Sequence, residues 1–206
     1  MTRRVTCLHT AESNIAVFEA AAVGLEVALT HIVRADLLRA AEAAGGLTPA
    51  IIAETQAALR AAAADADGVL LACSTLGPVA DDLTSASPVR RIDRALAEAA
   101  QREAAGGTIA VLYTFPGTKA ATEALFRDVA GDAVRMVLVS GAWDVFKAGR
   151  VQPYLEMIAA AADAAITDGV ASVAFAQASM APAAALCRIA RPLTSPQESL
   201  RAALVK

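Results

Sequence analysis

The chain has 206 residues and a net charge of -3; 56% of the residues are hydrophobic and 19% are charged. That balance supplies a sizeable core and excludes a wholly disordered chain. No segment concentrates lysine and arginine, so we expect no nucleic-acid partner. The longest uncharged stretch, residues 169–187, is too rich in alanine and polar residues for a membrane span. With no apolar leader at the N-terminus, we expect a cytoplasmic protein with no membrane partner.

The cysteines, Cys7, Cys73 and Cys187, are far apart, and no CxxC pair occurs. This pattern argues against a disulfide framework and a zinc site, and it is typical of a reducing compartment. The only histidines are His9 and His31, which excludes a histidine-rich metal site. His9 either orients a ligand or is a hydrogen-bonded residue at a strand end. We therefore expect no metal, and any cysteine chemistry must be that of single thiols.

Short apolar runs alternate with longer alanine-rich stretches along the chain. This alternation is typical of a parallel α/β protein, in which helices cover the faces of a sheet. The predicted strands, including two short edge strands, are Val5–His9, Leu25–Val33, Gly68–Cys73, Val89–Ile92, Thr108–Thr114, Ala133–Ser140, Val170–Ala176 and Pro192–Leu193.

Several helix ends are marked by local sequence. Thr48 precedes a proline and is expected to cap a helix start. Residues 195–198 form a capping-box sequence, which predicts a last helix running to Val205. The glycine pairs at 45–46 and 106–107 predict helix ends.

The two halves of the sequence look alike. Residues 70–80 can be laid over residues 174–184: in both, an apolar strand ends in a polar turn, and a proline follows in the first turn of a helix. We therefore expect two equivalent α/β halves, residues 1–94 with 184–206 and residues 95–183. Each half would present a polar turn at the carboxyl end of a strand, where ligands bind in open parallel sheets.

Cys73 is the strongest chemical signal in the sequence. It lies at the predicted end of a strand, and Ser74, Thr75 and a helix follow it. A helix N-terminus favours a thiolate and an anionic ligand, and the two hydroxyl residues can hold a carboxylate. The position also suits a small buried cysteine, and the residues alone leave both alternatives open. Neither Cys7 nor Cys187 precedes such a turn, so we expect both in the core.

Residues 67–75 resemble the first cysteine motif of the aspartate/glutamate racemase superfamily, in which a strand ends in Cys-Ser-Thr or Cys-Asn-Thr. Residues 8–10 are similar to the ligand-binding turn after the first strand of that family. Residues 113–118 resemble the turn that opens its second half, and residues 177–180 lie where its second cysteine motif belongs.

The resemblance implies two pseudo-symmetric three-layer α/β/α halves with parallel four-stranded sheets, and a site in the cleft between them. It also implies a cofactor-independent isomerase that forms a homodimer. In this enzyme the Cys73 thiol would act as acid and base at the α-carbon of a small amino acid or related carboxylate. The residues it implies for substrate binding are Thr10, Ser74, Thr75, Thr114, Thr118, Gln177 and Ser179.

One departure from the family pattern bears on the reaction. Gln177 stands opposite Cys73 in the overlay of the two halves, so the second catalytic cysteine is missing, and a carboxamide cannot exchange a proton at neutral pH. One alternative is one-sided epimerisation, with water or Ser179 in place of the lost thiol. A second is decarboxylation or cis–trans isomerisation of a small dicarboxylate by a single cysteine. A third is carboxylate binding without catalysis. No G-x-G-x-x-G or G-x-x-x-x-G-K-[ST] loop points to a nucleotide.

Overall fold

A computed structural model describes residues 2–81, 83–85 and 87–204. The chain divides into two compact units, Met1–Ile92 with Ser199–Lys206, and Asp93–Glu198. Each unit contains a parallel four-stranded sheet with flanking helices, which confirms the predicted fold class. The predicted division into two equivalent halves, residues 1–94 with 184–206 and residues 95–183, stays a prediction.

The first unit is built on a sheet with the strand order β2-β1-β3-β4, in which all neighbours run parallel. The helices follow the strands in alternation, as the sequence pattern predicts. Its strands are β1 (Arg3–His9), β2 (Val27–Val33), β3 (Gly68–Ala72) and β4 (Val89–Arg91), and its helices are α1 (Asn14–Ala22), α2 (Ala35–Ala44), α3 (Pro49–Ala63) and α4 (Pro78–Asp81).

The second unit repeats this topology with the strand order β6-β5-β7-β8, again all parallel. Helices α5 (Ile92–Ala104) and α9 (Ser195–Leu204) each include residues of both units. The other elements are β5 (Ile109–Tyr113), β6 (Val134–Leu138), β7 (Ser172–Phe175), β8 (Leu193–Thr194), α6 (Lys119–Ala130), α7 (Ala142–Lys147) and α8 (Val151–Thr167), with 3₁₀ turns at Pro116–Thr118, Gly131–Ala133 and Ala178–Leu186.

All eight predicted strands are present, and their ends differ from the prediction by a few residues. The central strands β3, β5 and β7 are buried along their whole length, because a parallel sheet is covered on both faces. The edge strand β2 is only partly buried. Uninterrupted apolar sequence is therefore what made the central strands predictable.

Alternate residues of β5 pack in two separate hydrophobic cores, one on each face of the second sheet. Ala110 and Leu112 pack in the cluster that includes Tyr154 and Ile158 of α8. The intervening residues of β5 pack on the other face with side chains of α5 and α6. Because successive side chains of a strand point to opposite faces, and helices cover both faces of this sheet, the second unit has three layers.

The predicted helix ends are met at three places and missed at one; α5 ends at Ala104, just before the glycine pair 106–107. The Thr48 hydroxyl accepts a hydrogen bond from Ile51 N at the start of α3, and Gly45 ends α2 with a φ of 70°. The predicted capping box at Ser195 is wrong: α9 begins at this residue, and its buried hydroxyl has no hydrogen-bond partner among the described residues. Val205, the predicted last helical residue, lies outside the described residues. Within the described ranges, no helix is long and apolar enough to cross a membrane.

One carboxylate holds the segment that follows the 3₁₀ turn Ala178–Leu186. Asp163 of α8 accepts hydrogen bonds from the backbone N–H groups of Arg188 (2.9 Å), Ile189 (2.9 Å) and Ala190 (2.8 Å). These bonds, that of Ala190 first, hold the pKa of Asp163 below its usual 3.8.

We expect Asp163→Ala to lower the free energy of unfolding by about 1–3 kcal/mol, because three backbone donors lose a charged acceptor. Since the folded protein depresses this pKa, the contribution is complete above pH 3.8 and is lost as the pH falls through the lowered value. Urea unfolding at several pH values measures it. The matched control is Asp168→Ala, one turn beyond and exposed; an equal loss in both variants would contradict the assignment.

Candidate functional site

The carboxyl edge of the first sheet places two of the predicted site residues next to each other. The parallel register of β1 and β3 pairs His9 with Ala72, so the residues that follow, Thr10 and Cys73, leave the sheet side by side. Each is only 7% exposed. Among the described residues, the Thr10 hydroxyl has no hydrogen-bond partner. A polar donor therefore lies beside the thiol at this edge.

The surroundings of Cys73 are mostly apolar. Its side chain packs with Leu71 and Leu76 in the core on one face of the first sheet, while Ser74 and Thr75 are half-buried. The following helix, α4, is described over the four residues Pro78–Asp81, and a helix this short has a weak dipole at its N-terminus. Any activation of this thiol must come from other groups.

Arg91 brings a positive charge to the same turn. Nothing in the sequence pattern indicated this residue. The register of β4 pairs Arg91 with Leu71, and the guanidinium is 5% exposed, with Nη1 2.8 Å from the Asp81 carboxylate. A Cβ on Gly77 would lie 2.7 Å from Nη2 of Arg91, so the guanidinium packs directly against the turn. A nearby cation favours a thiolate and an anionic ligand, and Asp81 offsets part of this charge.

The equivalent edge of the second sheet is closed by an internal contact. Thr114 follows β5, and Oε1 of Gln177 accepts from its N–H (2.7 Å), from its hydroxyl (2.8 Å) and from Phe115 N (3.2 Å). The Thr118 hydroxyl donates to the Phe115 carbonyl at 2.8 Å. The carboxamide oxygen thus occupies the place that a carboxylate oxygen would take at such a group of donors.

Ser179 is bonded to a phenol. Its Oγ lies 2.9 Å from the hydroxyl of Tyr154, which is fully buried. Burial raises the pKa of Tyr154, so the phenol keeps its proton near neutral pH. A protonated phenol does not activate a serine, and Ser179 therefore has no base among these partners to make it a substitute for the missing thiol.

A chain of polar side chains on β1, β2 and α1 was also missed. Nε2 of His9 lies 2.9 Å from Nδ1 of His31, and Nε2 of His31 lies 2.9 Å from Oε1 of Glu19. Burial, and then the charge of His31, lower the pKa of His9 to about 4. His9 is thus the hydrogen-bonded residue at a strand end that the sequence allowed.

The other two cysteines differ from Cys73 in their surroundings. Cys7 is fully buried, and burial, with the charge of Glu19, raises its pKa to about 12. Cys187 is half-buried rather than in the core, which corrects the prediction; it follows the 3₁₀ turn, and its Sγ donates to the Ala183 carbonyl. Burial raises its pKa to about 11. Both thiols therefore stay protonated at neutral pH.

No model of a known protein family matches the sequence, and no curated protein matches it. The fold does match solved structures. An aspartate racemase from Picrophilus torridus superposes with a TM-score of 0.73 at 12% identity, over 98% of this chain and 93% of its own. A glutamate racemase from Bacillus anthracis gives a TM-score of 0.67 at 14% identity, over 97% and 79% of the two chains.

An allantoin racemase from Klebsiella pneumoniae is similar over 98% of this chain and 86% of its own, with a TM-score of 0.64 and 14% identity. At identities this low, the likeness is one of fold. It confirms at that level the resemblance found in the sequence: the chain has the fold that is shared by aspartate, glutamate and allantoin racemases.

Proposed function

We propose that this protein is a cofactor-independent isomerase that acts at the α-carbon of a small amino acid or related carboxylate, with the Cys73 thiol as acid and base. The observation that carries the proposal is the placement of Thr10 and Cys73 after paired residues of adjacent strands. This is the edge of a parallel sheet at which ligands bind, in a fold whose solved examples include racemases.

The substrate carboxylate is proposed to bind at the turn that contains Cys73. Thr10 contributes a hydroxyl, and Ser74 and Thr75 contribute hydroxyl and backbone N–H groups. The Arg91 guanidinium lies behind the same turn and favours an anion there. These donors also stabilise the enediolate, whose negative charge develops on the carboxylate oxygens as the α-proton leaves.

The proposed step is a proton transfer on one face of the substrate. The Cys73 thiolate takes the α-proton, so that the C–H bond breaks, an S–H bond forms, and the electron pair moves onto the carboxylate. Return of a proton from the same thiol restores the configuration, whereas return from the opposite face inverts it. General acid–base transfer of this kind contributes about 10²–10⁴-fold to a rate.

Gln177 stands where the second cysteine of the racemase superfamily belongs in the sequence, and this difference bears on the outcome that we propose. Its carboxamide supplies no proton, and its oxygen is bound to the turn of Thr114 and Phe115. Thr114, Thr118 and Ser179 are therefore proposed as substrate contacts only where a carboxylate displaces the Gln177 oxygen. We propose one-sided exchange, with slow inversion by water, as the primary activity.

A second candidate function is decarboxylation or cis–trans isomerisation of a small dicarboxylate. The single thiol favours it, because protonation of an enediolate from one face, or addition of one thiolate to a double bond, needs no second cysteine. The apolar packing of Cys73 favours a third, a carboxylate-binding protein without catalysis. The homodimer and the cytoplasmic location stay predictions.

We expect the protein in D₂O to incorporate deuterium at the α-carbon of a substrate, and Cys73→Ala to lower that rate at least about 100-fold. Proton NMR of a panel containing both enantiomers of aspartate and glutamate, alkyl- and arylmalonates, and maleate measures the exchange. The matched control is Cys187→Ala, which removes a thiol with a raised pKa and should leave the rate within about twofold.

Formation of a monoacid from a malonate, or of fumarate from maleate, would replace the isomerase proposal with the second candidate. Exchange that persists in Cys73→Ala would contradict the role of the thiol. If no compound of the panel changes but a dicarboxylate binds tightly, the non-catalytic alternative is selected.

We expect Gln177→Ala to lower the free energy of unfolding by about 1–3 kcal/mol, because the donors of Thr114 and Phe115 lose their acceptor. Malonate should then raise the melting temperature of the variant more than that of the wild type, by filling the vacated position. Gln177→Glu keeps an acceptor at this place and is the control. Equal effects of malonate on all three proteins would show that the turn does not bind carboxylates.

A further inference from the structure

Three potential metal ligands converge on the first sheet, away from the face on which Cys73 packs. Cys7 and His9 are two residues apart on β1 and point to the same side, and the register pairs Cys7 with His31 of β2. One ligand atom from each residue lies within 4.8 Å of the other two. Cys7 and His9 are fully buried, and the His31 side chain is 12% exposed.

The hydrogen bonds around the two imidazoles leave one nitrogen unpartnered. A carboxylate only accepts, so the contact of His31 Nε2 with Glu19 fixes the His31 proton on Nε2 and leaves a lone pair on Nδ1. That lone pair faces Nε2 of His9 at 2.9 Å. Among the described residues, the buried Nδ1 of His9 has no partner. The 2.9 Å contact is therefore a hydrogen bond that Nε2 of His9 donates to Nδ1 of His31, and the buried Nδ1 of His9 is left as an unpartnered acceptor. When the ring proton of His9 moves from Nε2 to Nδ1, two lone pairs converge on one point.

We propose that Cys7, His9 and His31 bind a zinc ion, which takes the place of the proton between the two imidazoles. Cys7 Sγ, His9 Nε2 and His31 Nδ1 are the ligands. On binding, the ring proton of His9 moves from Nε2 to Nδ1 as the Zn–N bond forms, and the Cys7 thiol releases its proton to solvent as the Zn–S bond forms. The three residues leave one position of a tetrahedral zinc ion for a further ligand.

Distances and donor types fit this ion. Tetrahedral bonds of about 2.0 Å to nitrogen and about 2.3 Å to sulfur put the two nitrogens roughly 3.3 Å apart and the sulfur roughly 3.6 Å from each. Small side-chain rotations reach these separations from the 2.9 Å nitrogen pair and from ligand atoms within 4.8 Å. One thiolate and two imidazoles favour zinc over magnesium or calcium, which prefer oxygen ligands.

Glu19 completes the arrangement from outside the ligand set. Metal-bound imidazoles usually donate their second N–H group to a carboxylate, which orients the ring, and His31 donates to Glu19 in this way. The Glu19 side chain is 57% exposed, so the outer end of this chain of contacts faces solvent. The lack of a CxxC pair does not exclude this site, because its ligands come from two paired strands and two histidines suffice.

The test is a titration of the metal-free full-length protein with Co²⁺, which replaces zinc and absorbs through thiolate-to-metal charge transfer. We expect a single ion per chain, a charge-transfer band, and displacement by Zn²⁺. Cys7→Ala should abolish the band. Glu19→Gln, an exposed substitution that leaves the core intact, should weaken binding about 10–100-fold. Cys73→Ala and Cys187→Ala are the matched cysteine controls and should keep both band and affinity.

The proposal is overturned if no band forms, if the band survives in Cys7→Ala, or if Cys73→Ala removes it. It is also overturned if Glu19→Gln binds cobalt like the wild type. Because the inference goes beyond the proposed isomerase function, and Cys73→Ala retains the metal ligands, loss of exchange activity and loss of metal binding are separate results.

Discussion

In each unit the two central strands run parallel in a fixed register, and this pairing decides which side chains meet at the carboxyl edge of the sheet. In the first unit the residues after the paired ends are Thr10 and Cys73. In the second unit the pairing ends at Leu112 and Phe175, and two residues further on Thr114 and Gln177 are hydrogen-bonded to each other. The same topology thus places a threonine beside Cys73 in the first unit and beside Gln177 in the second. The chemistry of each edge depends on which of these two side chains it carries.

The two edges differ in how their donors are satisfied. In the second unit the Gln177 oxygen accepts from three donors of the Thr114 turn, which leaves that turn internally complete. In the first unit the thiol of Cys73 stands beside a threonine hydroxyl that has no partner among the described residues. This hydroxyl is available to donate a hydrogen bond to a bound carboxylate. This difference supports a site at the Cys73 turn and assigns a structural role to Gln177.

The sequence predicted the parallel sheets, because buried central strands require unbroken apolar runs, and it predicted Cys73 at a strand end for the same reason. It did not predict the contacts of Gln177, because its partner Thr114 lies 63 residues away and the contact depends on strand register. The cluster of Cys7 and His31 was missed for the same reason. Ser195 fits a capping box by sequence, but the helix begins at the serine itself, so its hydroxyl does not cap.

The central claim is that Cys73 is the reactive thiol of a carboxylate site, and competitive alkylation tests it most directly. The protein is treated briefly with iodoacetamide at neutral pH, and the modified cysteines are quantified by mass spectrometry with and without malonate. The pKa values of Cys7 and Cys187 are raised to about 12 and about 11, so both should react slowly. We predict that Cys73 is modified first and that malonate protects it. Faster modification of Cys187, or a Cys73 rate that malonate does not change, would contradict the account.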